Sequence, residues 1–147
     1  MSLRDRMTVD MKAAMKAREA ARRDTLRMLL SALGNERIKL QRDLDEAEEI
    51  DFLATQAKRR RESIDAYEQA ERQELADQER AELAVIEEYL PKQLSEDEVR
   101  ALVRDAIEQT GASSKKDMGR VMGAVMPQLR GRFPGAGVKP IVDSMLD

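Results

Sequence analysis

The sequence contains no cysteine, no histidine and no tryptophan among its 147 residues. Without cysteine there are no disulfides and no thiolate nucleophile. Without histidine the usual general base at neutral pH is missing, and the two absences together remove the common zinc sites. Aromatic residues make up only 3% of the chain, so a core has to be built from Leu, Ile, Val, Ala and nine Met. Side chains of that kind favour helix on helix. Long apolar runs are also missing. The opening stretch MSLRDRMTVDMKAAMK is interrupted by charge every few residues, which fits neither a signal peptide nor a membrane span and sets the expectation of a cytoplasmic protein with no membrane partner.

Glycine and proline are scarce in one part and concentrated in the other. Between Met1 and Leu90 the only one is Gly34, whereas residues 91–147 hold all four prolines and the other six glycines. Long helices are therefore predicted for the first ninety residues and shorter, capped ones for the rest, giving an all-α chain with two domains, 1–90 and 91–147. Ser2 is the expected N-cap of a first helix with Leu3, Met7, Met11 and Ala14 on one face. A second helix is expected from about Ala20 to Leu40, with Leu26, Leu29, Leu30 and Leu33 at helical spacing and Gly34 inside it. From Glu46 to Tyr89 nothing breaks the pattern, but one helix of about 45 residues would span roughly 67 Å. A hairpin turning near Ala70–Gln73 is the expected solution for a chain of this size.

Pro91 disfavours helix at Leu90, and LSEDEV restarts one with Ser95 as N-cap and Glu98 completing a capping box. That helix carries Val99, Leu102, Val103 and Ile107 and is expected to stop at Gly111. Ser114 followed by Asp117 reads as a second capping signal, opening a helix with Met118, Val121, Met122 and Val125 on its apolar face. Pro127 is expected to disturb or end it, Gly131–Gly137 to be loop, and Pro140 to sit in the first turn of a final helix through Met145.

Charge is abundant, at 37% of residues, and unevenly placed. Residues 1–42 hold eleven Lys/Arg against five Asp/Glu, residues 43–110 nine against twenty-one, and residues 111–147 six against three. An acidic middle between two basic ends points to a polyanionic partner at the ends, or to charge balance between touching helices. The carboxylates of the middle form no recognisable acid/base pair or metal site, and no glycine-rich phosphate loop is present, so no catalytic residue, metal or cofactor is assigned. The run Lys58-Arg59-Arg60-Arg61 points around most of a helix and is expected to pair with Glu62, Asp65 and Glu68 on the same helix.

The stretch DMGRVMGAVMPQLRGR, Asp117 to Arg132, stands apart. Lys115 and Lys116 fall at the start of its helix, where free backbone N–H groups and the dipole favour an anion, and Arg120 follows one turn on. Gly119 and Gly123 are four residues apart, each costing a helix about 0.8–1 kcal/mol relative to Ala. Such a pair admits the close approach of another backbone, either a neighbouring helix or a sugar-phosphate chain. With Arg130, Arg132 and Lys139 nearby and Phe133 the sole stacking candidate, shape and phosphate recognition of folded RNA fits better than reading of unstacked bases. The candidate RNA-binding residues are Lys115, Lys116, Gly119, Arg120, Gly123, Arg130 and Arg132.

Three stretches together resemble a known family: MKAAMKAREAARRDTLRMLLSAL (Met11 to Leu33), RRRESIDAYEQAERQELADQERAELAVIEEYLPKQLSEDEV (Arg59 to Val99) and the run from Asp117 to Arg132. They are similar to the stand-alone YqeY-type proteins, which resemble the tail of GatB, a component of the glutamine-dependent aminoacyl-tRNA amidotransferases. The resemblance implies an N-terminal helical unit with a long hairpin and a small C-terminal three-helix unit. It further implies a non-catalytic accessory protein that contacts tRNA or another folded RNA, with an amidotransferase or aminoacyl-tRNA synthetase as a further partner and no small-molecule substrate. Carbon-nitrogen ligase activity with glutamine as amido-N-donor would belong to the larger enzyme. The alternative is a protein-interaction module, an adaptor for such an enzyme without direct RNA binding. Where the family usually has Gly-Arg at the hairpin turn this chain has Glu71-Arg72. Phe133-Pro134-Gly135, Gly137 and Pro140 also depart from the family pattern, so the last helix is expected to be short.

Overall fold

A computed structural model describes all residues 1–147 as seven α-helices and two single-turn 3-10 helices, with no strand. The helices are α1 (Leu3–Lys16), α2 (Ala20–Leu40), α3 (Glu46–Gln69), α4 (Gln73–Glu87), α5 (Glu96–Thr110), α6 (Met118–Leu129) and α7 (Val138–Met145). The chain divides into two compact units, Met1–Leu90 and Pro91–Asp147.

The first unit packs two helical hairpins, α1 on α2 and α3 on α4. Ser2, Asp45 and Ser95 each open a helix with a reciprocal capping box, the partners being Asp5, Glu48 and Glu98. A cap of this kind satisfies orphan N–H groups and contributes about 1 kcal/mol. The core joins Leu3 and Met7 of α1, Leu26, Leu29 and Leu33 of α2, Phe52, Leu53 and Ala57 of α3, and Val85 and Ile86 of α4. Met11 and Leu30 pack against it from the side.

Both hairpin turns close with a side-chain-bearing residue where glycine is usual. At the α1–α2 turn Arg18 has φ 60, and at the α3–α4 turn Glu71 has φ 58. In each turn two N–H groups fold back onto the preceding helix. Arg18 N donates to Met15 O and Glu19 N to Ala14 O, while Glu71 N donates to Glu68 O and Arg72 N to Tyr67 O. This is the Schellman pattern, and it holds without the glycine the family usually supplies at Glu71. Gly111, closing α5 at φ 68, is the same device in its ordinary form.

Two members of the basic run of α3, Arg60 and Arg61, pair across the hairpin rather than along their own helix. Arg61 Nη2 lies 3.5 Å from Glu87, and Arg60 Nε lies 3.8 Å from Glu82 and 4.0 Å from Glu79, all three carboxylates on α4. Antiparallel packing of α3 on α4 brings these residues together, which the spacing along one helix does not reveal. Arg60 is buried, and its guanidinium also donates to Gln56 Oε1 at 2.6 Å and to Met28 Sδ at 3.5 Å. At the end of the same unit, Tyr89 donates its hydroxyl to Asp10 and carries the Arg6 guanidinium over its ring, while Arg22 pairs with Glu88.

In the second unit α5, α6 and α7 enclose Val99, Val103 and Ala106, Val121, Val125 and Leu129, and Val138, Ile141 and Val142. Pro127 lies inside α6, which runs on to Leu129. A proline in the last turn forfeits one backbone bond, and burial of Leu129 at 1% exposure holds the turn in place. The expected loop at Gly131–Gly137 contains a 3-10 turn, Gly135–Gly137, that leads into α7. Phe133 is partly buried against the core, and its ring carbon Cε2 would stand 3.0 Å from a Cβ placed on Gly137. Its ring is thus packed inside the unit.

Candidate nucleic-acid interface

Two segments of the second unit are tied together by an exchange of hydrogen bonds. Gln93 Nε2 donates to Gly131 O at 2.7 Å and to Pro91 O at 2.9 Å, and Leu94 N donates to Arg132 O at 2.8 Å. In return Arg132 Nε donates to Lys92 O at 3.1 Å, and its Nη1 to Gln128 O at 3.3 Å. The Arg132 guanidinium is therefore a clasp between the PKQL segment and the end of α6. Gly131, in the left-handed region at φ 72, turns the chain between Arg130 and Arg132. Sequence reasoning missed Gln93 and Lys92, because the contact spans some forty residues and has no local signature.

At the start of α6 the expected geometry changes. The helix is preceded by a single 3-10 turn, Lys115–Asp117, with Ser114 accepting Lys116 N on its hydroxyl and Asp117 N on its carbonyl. Asp117 does not complete a box with Ser114. Its carboxylate accepts Ser113 N at 3.0 Å and Arg120 Nη2 at 2.6 Å. The Ser113 backbone bond first, and Arg120 second, hold this carboxyl below the usual carboxylate range. The helix start thus carries its own anion, and free N–H groups are not the device that would attract a phosphate there. Arg120 also donates to Thr110 O at 3.2 Å, at the negative end of α5, and so ties α5 to α6. Lys115 N donates to Asp147 O, and its ammonium stands 3.7 Å from Asp143, both side chains more than half exposed.

The remaining candidates lie on or beside the outer face of α6. Val121, Val125 and Leu129 point α6 into the core, and helical spacing sets Gly119, Gly123 and Pro127 on the opposite side, with Lys116 in the 3-10 turn before the helix and Arg130 just past its last residue. All five are exposed, and Met126 beside them is 36% exposed. Beyond its chain neighbours and its own helix backbone, a Cβ built on Gly119 or Gly123 meets nothing within 4 Å, so packing inside this unit accounts for neither glycine. The result is a patch of bare helix backbone about 6 Å long, from Gly119 to Gly123, with a cation beyond each end of the helix. The Lys116 ammonium forms no ion pair within the chain.

No group of three or more carboxylates is arranged to hold a metal ion, and no helix is long and apolar enough to cross a membrane. Two compact helical units, the second bearing exposed glycines at Gly119 and Gly123 of α6, define an all-α protein. The family described as Yqey-like protein matches residues 4–146, and the chain belongs to it. Among curated relatives, "Altered inheritance of mitochondria protein 41, mitochondrial" of Pyrenophora tritici-repentis (strain Pt-1C-BFP) is 28% identical over 130 residues, 86% of this chain and 71% of that protein. The protein of the same name from Lachancea thermotolerans (strain ATCC 56472 / CBS 6340 / NRRL Y-8284) is 35% identical over 82 residues, 55% of this chain and 44% of that protein.

Proposed function

We propose that this chain is a non-catalytic RNA-binding accessory protein that receives the backbone of tRNA, or of another folded RNA, along the outer face of α6. The observation that carries this reading is the open Gly119–Gly123 strip. Glycine twice in a twelve-residue helix weakens it, no internal contact accounts for either residue, and bare backbone permits an approach that a side chain would block. Lys116 and Arg130 supply cations beyond the two ends of the helix, and Lys115 adds a third, weakly engaged charge. Arg120 and Arg132 act as supports that shape the surface. The absence of a free aromatic ring on this face supports recognition by shape and phosphate over base stacking.

A second reading, a protein-interaction module that docks on an amidotransferase or aminoacyl-tRNA synthetase without touching RNA, is favoured by the same strip. Small residues four apart also admit a partner helix, and Met126 offers that helix an apolar contact. The cytoplasm is the compartment we propose. Its support is the charge-interrupted first helix, whose apolar face is committed to the core through Leu3, Met7 and Ala14; both relatives carry "mitochondrial" in their names.

Capture from lysate on the immobilised chain, with and without ribonuclease, separates the two readings, together with tRNA binding by the chain and by Lys115→Glu/Lys116→Glu. Direct RNA binding predicts recovered RNA, steep weakening with salt, and a reduced affinity and salt slope in the double variant. A nuclease-insensitive protein partner with no RNA recovered would favour the adaptor.

A further inference from the structure

The strongest concentration of unspent positive charge lies in the other unit, on the outer side of the α1–α2 hairpin. Lys12 and Lys16 are one turn apart on α1, Arg23 and Arg27 are one turn apart on α2, and Arg18 stands in the turn between the two helices. Lys12, Lys16, Arg18 and Arg27 are exposed and form no ion pair with any carboxylate of the chain; Arg23 is partly exposed and meets only its neighbour Asp24, at 2.9 Å.

The placement of these cations opposes stability. Like charges at i and i+4 repel along a helix, and two such pairs occur here, one on each helix, the pair on α2 partly offset by Asp24 between its members. Arg18 at φ 60 takes a conformation that glycine adopts freely, so a charged side chain is held in the turn at a cost. Elsewhere the unit neutralises many of its cations: Arg22 meets Glu88, Arg37 meets Asp43, Arg42 meets Glu48, and Arg61 meets Glu87. Arg4, Lys58, Arg59 and Arg72 are also without a salt bridge, but none of them lies four residues from another cation, as the α1–α2 cations do.

We infer that the outer side of the α1–α2 hairpin, through Lys12, Lys16, Arg18, Arg23 and Arg27, is a second phosphate-contacting surface for RNA, separate from the α6 strip. The inference rests on the RNA reading above for its choice of polyanion and adds a site that reading does not contain. Cations one helical turn apart, about 6 Å along each axis, suit successive phosphates of one strand. An anionic membrane fits less well. The apolar faces of α1 and α2 are spent on the core through Leu3, Met7, Leu26, Leu29 and Leu33, leaving Val9 and Met15 on α1 and Met28, Ile38 and Leu40 on α2 scattered among polar residues.

The test uses the full chain and a labelled tRNA transcript, with affinity measured across a salt series for the unaltered protein, for Lys12→Glu/Arg27→Glu, for the milder Lys12→Gln/Arg27→Gln, and for Gly119→Leu/Gly123→Leu. Circular dichroism checks that each variant is folded. The expected result is at least a tenfold loss of affinity in the Glu pair, a smaller loss in the Gln pair, and a salt slope lowered by roughly 1.4–1.8, as for two lost phosphate contacts. Unchanged affinity and slope in both charge variants, with binding lost in the glycine variant, would overturn the second surface and leave the α6 reading standing. No tRNA binding by the unaltered protein, with or without binding to vesicles containing phosphatidylserine, would overturn both.

Discussion

Gly119 and Gly123 stand one turn apart on the exposed side of α6, and a Cβ added to either would meet nothing within 4 Å beyond its chain neighbours and its own helix backbone. They are the only glycines inside that helix, and its fold has no need of them. Alanine at both positions should raise the stability of the second unit by about 1 kcal/mol per site, the difference in helix propensity. Thermal or urea unfolding of Gly119→Ala/Gly123→Ala against the unaltered chain measures this. A destabilised double variant would mean that the glycines serve packing after all.

The Glu71 turn offers a second gain of stability. Glu71 closes the α3–α4 hairpin at φ 58 and is exposed, with nothing but its own helix to hold it there. Glu71→Gly should stabilise the first unit by about 1 kcal/mol, less whatever glycine adds to the entropy of the unfolded chain. Urea midpoints of the two proteins check it.

Arg60 carries the opposite prediction. Its side chain is 10% exposed and faces Glu82, Glu79 and Gln56. Arg60→Ala would leave two carboxylates facing each other with no cation between them, a loss of about 3 kcal/mol for a partly buried network. Burial, and then the charge of Glu79, already raise the Glu82 carboxyl above its ordinary value despite Arg60. A raised folded-state value means that the folded chain holds the proton more tightly than the unfolded one. The associated stability is present below the ordinary carboxyl value near 4.5 and lost as pH rises through the folded value. The Arg60→Ala deficit should therefore shrink as pH falls from 7 toward 4.5, seen as convergence of the two unfolding midpoints.

The sign reverses at Glu48. Arg42 first, and the Asp45 backbone next, hold its carboxyl down to about 2, against an ordinary value of 4.5. Its contribution is present above pH 4.5 and lost as pH falls toward 2. Arg42→Ala should weaken that acid-side loss, because one of the two groups holding Glu48 ionised is gone, and a pH titration of the unfolding midpoint between 5 and 2 reads it.

The Arg132 clasp separates support from contact. Arg132→Ala frees the carbonyls of Lys92 and Gln128, both at partly hydrated positions, and should cost about 1 kcal/mol. It should also speed hydrogen exchange at Leu94 N–H, whose acceptor is Arg132 O. Undisturbed exchange at Leu94 would show that the guanidinium has no supporting role.

These residues also show where the sequence could be read and where it could not. The helical caps Ser2 and Ser95, the long α2 from Ala20 to Leu40, the hairpin turn after Gln69 and the stop at Gly111 all depend on neighbours within a turn, so local chemistry reveals them. Ser114 caps as its signal suggests, but it opens a 3-10 turn by accepting Lys116 N, and the Asp117 carboxylate accepts Ser113 N instead. With Ser113 and Ser114 adjacent, either could receive Asp117, and only the fold decides. Arg60 and Arg61 were expected to pair along α3, because the register of α4 against α3 is a tertiary fact. The clasp through Gln93 and Arg132 joins segments far apart in sequence, so the bonds of Arg132 to Lys92 O and Gln128 O had no local signature. The open state of Gly119 and Gly123 was equally invisible, since the same spacing serves a buried helix contact and a bare outer face.

The account turns on that outer face, and binding of a labelled tRNA transcript to Gly119→Leu/Gly123→Leu tests it most directly. The added side chains project into open space, so circular dichroism should show the fold and helix content unchanged. The account predicts that this folded variant binds at least tenfold more weakly than the unaltered protein at the same salt concentration. Equal affinity in the folded variant would contradict it.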